Sequence, residues 1–170
     1  MTYRPKQKGK KELILSLCTA ITAVLLIIIS GIVNKFGGLY QISAIICGVI
    51  SIEIYMKYVG SDYIYEAADD AFKVYKVTGK KSICVSSLDY EMSLSFVVSS
   101  KEYKENINNY PKSNFDVNLC KNLAPCDFSV YFFEFNGKKS MMKFEPDDNF
   151  TLYINKKIAD AWENGDNDDE

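Results

Sequence analysis

The chain has 170 residues, 20 Lys or Arg against 22 Asp or Glu, and a net charge of −2, which is room for one domain or for a small domain beside a membrane unit. It contains no histidine, which excludes Ser-His and Cys-His catalytic pairs and zinc–histidine sites. The averages conceal three unlike blocks: residues 1–12 are basic at net +4, residues 13–59 are almost uniformly apolar, and residues 61–170 hold 13 Lys, no Arg and 20 acids, at net −7.

Residues 1–12 carry Arg4, Lys6, Lys8, Lys10 and Lys11 against Glu12 and are read as a basic cytoplasmic N-terminus. Two 21-residue apolar runs follow, 13–33 and 39–59. A bilayer core of about 30 Å needs about 20 apolar residues as helix, so each run can span it. Only Asn34-Lys35-Phe36-Gly37-Gly38 separates the runs, and so short a connection predicts a transmembrane hairpin over 13–59. The first run is too long for a signal-peptide core, and Ile32-Val33-Asn34-Lys35 offers no small-residue cleavage site, so a retained anchor is expected. Five basic residues precede the first run and Lys57 ends the second, against Lys35 alone in the turn. That bias predicts a two-span, multi-pass protein of the cell membrane with both termini cytoplasmic.

Glu53 is the one acid within a span. It precedes Lys57 by four residues, so the two are read as an intramembrane ion pair about 9 Å from the inner face. Small residues four apart, Ser16 and Ala20 on the first helix and Ala44 and Gly48 on the second, allow close helix contact. Ala44 and Gly48 are also a candidate seam for a homo-oligomer.

The domain over 60–162 reads as short strands punctuated by turns. Strands are expected at 62–66, 71–77 and 82–87, with Thr78-Gly79-Lys80 as a tight turn. Met92, Leu94, Phe96 and Val98 alternate with smaller residues, predicting a further strand. Residues 99–114 read as a loop with one helical turn, and 115–121 as a weak strand. Residues 127–135 form the strongest strand, apolar on both faces. Asn136-Gly137 signals a type I′ hairpin into 140–145. Phe150, Ile154, Ile158 and Trp162 recur every four residues as on one helix face, and Pro146, Asp147 and Asp148 suit that helix's start. Residues 163–170 read as an acidic disordered tail.

The fold class expected is therefore a membrane α-helical hairpin plus a mostly-β, α+β domain. About seven antiparallel strands closed by a C-terminal helix resemble a PH-like barrel. The residues carrying the likeness are Tyr63-Ile64-Tyr65, Phe72-Lys73-Val74, Gly79-Lys80-Lys81, Asn136-Gly137-Lys138 and Phe144-Glu145-Pro146-Asp147. With the basic N-terminus and two spans, the whole resembles small uncharacterised membrane proteins of Gram-positive bacteria that carry a bacterial PH-like domain. The resemblance implies a fold and no particular activity.

No catalytic, cofactor or metal constellation stands out, so the chain is read as non-catalytic. The five cysteines, Cys18, Cys47, Cys84, Cys120 and Cys126, are odd in number and scattered, which argues against a disulfide framework and for a reducing compartment. Gly-Lys-Lys-Ser occurs twice, at 79–82 and 137–140, without the upstream glycine and following helix of a phosphate-binding loop. These are hairpin turns, and Lys80, Lys81, Lys138 and Lys139 are candidates for contact with anionic lipid headgroups. The acidic domain repels nucleic acid. The expected role is a membrane-anchored interaction module on the cytoplasmic face with a protein partner. The alternative is an accessory or regulatory subunit of a membrane transport assembly, to which Glu53 would contribute.

Overall fold

A computed structural model describes residues 1–7, 10–33, 36–125 and 127–165. Turn residues Asn34 and Lys35, Cys126 and the tail from Asp166 lie outside the described residues. The chain forms two compact units: Gln7–Ser61, and Met1–Lys6 together with Asp62–Glu170.

In the first unit, α1 (Lys11–Ile32) and α2 (Gly37–Ile54) are joined by a short turn, and α2 runs on into a π-helical turn, Tyr55–Val59. The two rods, Lys11–Ile32 and Gly37–Val59, are long and apolar enough to cross a membrane. Leu17, Ile28, Ile42 and Ile45 point outward, while Ser16, Ala23, Ala44 and Ser51 are buried. Small side chains let two backbones approach, and large ones on the contact face would hold them apart. At the turn a Cβ on Gly37 would lie 3.0 Å from the Ser30 carbonyl oxygen, so any side chain there would crowd that carbonyl. Ala44, only 3% exposed, is taken up within this hairpin, and Gly48 has open space around it. Of the two, only Ala44 is buried within the hairpin.

The second unit is two four-stranded sheets and a long helix. The first sheet has the order β1 (Thr2–Tyr3), β2 (Asp62–Ala67), β3 (Ala71–Thr78), β4 (Lys81–Asp89), all antiparallel. The second comprises β5 (Val98–Ser99), β6 (Phe115–Asn118), β7 (Ser129–Phe135) and β8 (Lys138–Phe144) in the order β5-β7-β8-β6. The pair β6–β8 is parallel, which departs from the all-antiparallel expectation. A parallel neighbour needs a long crossover, and the stretch between Asn118 and Ser129 carries the chain from β6 to β7 so that β8 can return beside β6. Both tight hairpins follow turn chemistry. Gly79 has φ +60° at the first central position, whereas Asn136 (φ 51°) and Gly137 (φ 71°) are both left-handed, as type I′ demands.

One aromatic core joins the sheets to α4 (Asp148–Gly165). Tyr65 of β2 meets Phe144 of β8 edge-on at 5.4 Å, and Phe72 of β3 lies 5.1 Å from Phe144. Phe150, Ile154 and Ile158 of α4 are fully buried against them. Asp147 caps the helix, its Oδ1 accepting from Phe150 N at 2.8 Å. Trp162, one turn beyond, is 36% exposed and rests on Phe96 at 5.0 Å. The other face of the second sheet buries Val130, Phe132 and Met141 under Leu94, Tyr103, Tyr110 and Phe128. Central β7 is thus covered on both sides, as its doubly apolar sequence predicts.

Two segments differ from their sequence patterns. The alternation at 92–98 does not become a long strand. A 3-10 turn (Tyr90–Met92) and an isolated bridge, Ser93 to Phe133, precede the short β5. Val97 is held instead by an amide of α4: Val97 N donates to Asn155 Oδ1 at 2.8 Å, and Asn155 Nδ2 donates to Val97 O at 3.1 Å. Ser93 and Val97 are buried while Phe96 is 43% exposed, so the face expected to be apolar is not the one turned inward. The N-terminus also differs from a plain basic segment. Thr2 pairs with Glu66 and Tyr3 with Tyr65, and the terminal amine donates to Ala67 O at 2.7 Å. A two-residue strand has no periodicity to read, and its partner lies more than 60 positions away.

Candidate binding cleft and charged turns

The outer face of the second sheet carries a cleft of about 520 Å³. Its far wall is built by α3 (Ser100–Glu105), the 3-10 turn Ile107–Asn109 and Tyr110-Pro111. Ser99 caps α3, its hydroxyl accepting from Glu102 N at 3.2 Å. Tyr110 stacks on Phe132 at 5.3 Å and 5°, and its hydroxyl donates to Glu102 Oε1 at 3.3 Å. Burial first, and then the Glu102 carboxylate, hold the Tyr110 phenol above its ordinary value, so it remains a neutral donor. The floor includes Phe132, Met141 and Asp116, and Lys112 stands at the rim. Asp116 belongs to β6, the edge strand, whose Phe115 is 64% exposed. An aromatic cleft beside a sheet edge offers side-chain pockets and backbone pairing together, the combination by which extended peptides are bound.

At one end of the same unit a buried polar network gathers four segments. The Glu145 carboxylate accepts from Lys121 N at 2.7 Å, Asn122 N at 3.0 Å and Asn122 Nδ2 at 2.8 Å. Asn122 Nδ2 also donates to Lys6 O at 3.3 Å, and Lys121 Nζ meets Asp62 Oδ1 at 2.8 Å. The Tyr65 hydroxyl donates to Leu119 O at 2.8 Å and accepts from Glu145 N at 3.2 Å. Burial pushes the Tyr65 phenol far above its ordinary range. Lys6 and Asp62 are the two residues at which this unit hands the chain over to Gln7–Ser61. Both crossings are therefore tied to one loop, 119–122, and to the end of β8.

A second hollow, about 620 Å³, is acidic and lies around Asp69, Asp70, Asp89, Glu91 and Asp160. Lys157 closes part of it, with Nζ 2.8 Å from Asp69 Oδ1, and this bond lowers the Asp69 carboxyl below its ordinary value. Among the described residues no group of three or more Cys, Asp or Glu is arranged to hold a metal ion.

The residues singled out from sequence are placed unevenly. Lys80 and Lys81 form the β3–β4 turn, and Thr78 pairs with Lys81. Asp62 pairs with Val77, so this turn lies just past the level of Asp62. Lys138 and Lys139 open β8, at the opposite end of that strand from Glu145, and Lys139 faces Glu134 across the ladder. The two lysine pairs thus occupy different sheets, and only the first is tied by register to a chain crossing. The Glu53–Lys57 ion pair is not formed. Glu53 ends up exposed on α2, and Lys57 Nζ lies over the Tyr58 ring at 5.1 Å. The π-helical turn explains this, because widening the helix over Tyr55–Val59 spoils the four-residue stacking that would bring the two together.

Sequence reasoning missed two features. Ser16 Oγ donates to Ser51 O at 3.0 Å and Ser51 Oγ to Ser16 O at 2.7 Å, which joins α1 to α2 reciprocally. Ser16 had been noted only for its size, and nothing local singles out Ser51. The Glu145 network likewise has no motif, since its members lie far apart in the chain. In comparisons with known proteins, no family model, no curated protein and no solved structure matches this chain.

Proposed function

We propose that the protein is a membrane-anchored, non-catalytic interaction module, with its folded domain on the cytoplasmic face of the cell membrane and a protein partner bound at the cleft over the second sheet. The observation that carries the reading is the pairing of β1 with β2. Residues on either side of the two apolar helices fold into one unit, so a chain that crosses a membrane at the first helix must return at the second. The excess of Lys and Arg flanking the helices supports the cytoplasm as that common side. The domain is read as PH-like: two sheets share a core with one C-terminal helix, with the parallel β6 and the added β1 as its own departures. The likeness to small Gram-positive membrane proteins with such a domain belongs to the same proposal.

Two measurements test it. A reporter fused after Glu170 is expected to be active in the cytoplasm, and activity only outside overturns the orientation. A photo-crosslinking residue at Phe115 in the full chain is expected to give one discrete adduct in native membranes, lost in Tyr110→Ala. Adducts confined to positions flanking Glu53 would favour the second reading, an accessory subunit of a transport assembly. That reading has its own support: Glu53 is exposed and makes no ion pair with Lys57, which leaves a carboxylate free to meet a polar group on another helix.

A further inference from the structure

We infer that the β3–β4 hairpin is a membrane-interface finger. Its tip sits among the anionic lipid headgroups of the bilayer that holds the two helices. This rests on the reading that those helices span.

Position comes first. Val59 ends the second apolar rod, and Asp62 opens β2 three residues later. Three residues reach at most about 11 Å, so Asp62 stays within that distance of the span's end however the domain is tilted. In register, Asp62 faces Val77 and Thr78 faces Lys81, so Gly79 and Lys80 lie beyond Asp62 in the direction opposite to β2's course. One strand spacing and two residues along the strand make the tip about 8 Å from Asp62. The headgroup layer on each side of the hydrocarbon is about 5–7 Å deep, so a tip on this side of Asp62 is within reach of that layer.

Composition comes second. From residue 74 to residue 88 the hairpin carries Lys76, Lys80 and Lys81 and no acid, in a block of net charge −7. The rest of that block would be repelled by an anionic surface, and this end would be attracted. Third is exposure. Ile83 is 64% and Val85 44% exposed, neighbours on one strand with no cover in the unit. Ile83 pairs with Lys76, so an apolar body and a cationic head stand side by side, as an interface favours. The β7–β8 hairpin also sets an exposed apolar ring, Phe135, against Lys138, but there Glu134 opposes Lys139 and no register ties the turn to a chain crossing.

The test uses the full chain in vesicles, with Trp162→Phe to remove the native tryptophan. Ile83→Trp is expected to be quenched at least twofold by lipids brominated near the headgroup end of their chains, in vesicles containing phosphatidylglycerol. Phe135→Trp, beside the other turn, is expected to stay unquenched. Lys76, Lys80 and Lys81 changed together to Glu should reduce the Ile83→Trp quenching several-fold, while Lys138→Glu with Lys139→Glu should not. Inorganic phosphate should leave the signal unchanged, and competition by it would assign the lysines to a free anion and overturn the proposal. Val85→Trp provides a second probe should Ile83→Trp fold poorly. Ile83→Trp and Val85→Trp both unquenched, in vesicles where Leu25→Trp is quenched, would overturn the finger alone. Leu25→Trp unquenched as well would overturn the membrane reading beneath it.

Discussion

The helical hairpin and the sheet unit sort the same kinds of side chain in opposite directions. Between α1 and α2 lie serine and alanine, while leucine and isoleucine face out. In the sheet unit Phe72, Phe144, Phe150 and Ile154 are inside, and most lysines and aspartates face out, Lys121 being a buried exception. Large apolar side chains gain by leaving water, but nothing by leaving lipid, so in a bilayer they stay outside and contact is left to small residues and hydrogen bonds. The difference is the one expected between a hairpin proposed to lie in lipid and a unit that folds in water.

That contrast can be broken most sharply by equal truncations in the two units. Phe72→Ala, or Phe150→Ala, should cost about 3–5 kcal/mol in denaturant unfolding of the detergent-solubilised chain, since both rings are fully buried. Leu17→Ala, on the outer face of α1, should leave that transition where it is. Equal effects would mean that α1 faces protein. Glu145→Ala comes next. It strips the acceptor from Lys121 N, Asn122 N and Asn122 Nδ2 in a buried site, and a loss of about 2–4 kcal/mol is expected from donors left without partners. An unchanged melting temperature would show that water replaces the carboxylate.

Smaller again is the serine pair. Ser16→Ala with Ser51→Ala should weaken α1–α2 association by about 1–2 kcal/mol, read from disulfide trapping between cysteines placed across the hairpin. Ser16→Leu should do more, because bulk adds to the lost bond. Alkali acts on the sheet unit. Burial pushes the Tyr131 hydroxyl up to about 12, against a lowering bond to Ser93, and Tyr90 is also raised by burial. Since the unfolded phenols ionise near 10, their contribution is complete below that pH and is lost as pH rises through about 12. Tyrosinate absorbance should therefore rise together with unfolding, and ionisation well before unfolding would contradict the burial. The least effect is expected from Asp69→Asn. Its carboxylate is 96% exposed, and the unfolding midpoint should not move measurably.

Much of the fold was legible because some patterns are local. Asn136-Gly137 demands left-handed φ at both positions, and only one hairpin geometry uses that. Tyr63 and Tyr65 two apart, and Phe150, Ile154 and Ile158 four apart, name the faces that must be buried. The cleft was not legible. Tyr110 was read as loop, and it is a wall only because Phe132 of β7 lies flat beneath it. Glu53 and Lys57 were misread for a related reason. Their spacing is right for an α-helix, but Lys57 lies in the π-helical turn that follows Glu53.

By itself the sequence determined two rods long and apolar enough to span, the tight turns at Gly79 and Asn136-Gly137, and the inward faces of β2 and α4. Those properties follow from side-chain period and backbone sterics within a few residues. Only the tertiary structure decided that Thr2 and Tyr3 complete a sheet begun 60 residues later, that β6 runs parallel to β8, that Ser16 clasps Ser51, and that Glu145 binds the loop beside both chain crossings. Each of these is a choice among distant partners. It is made by shape and by the need to satisfy buried polar groups, which no local window of sequence contains.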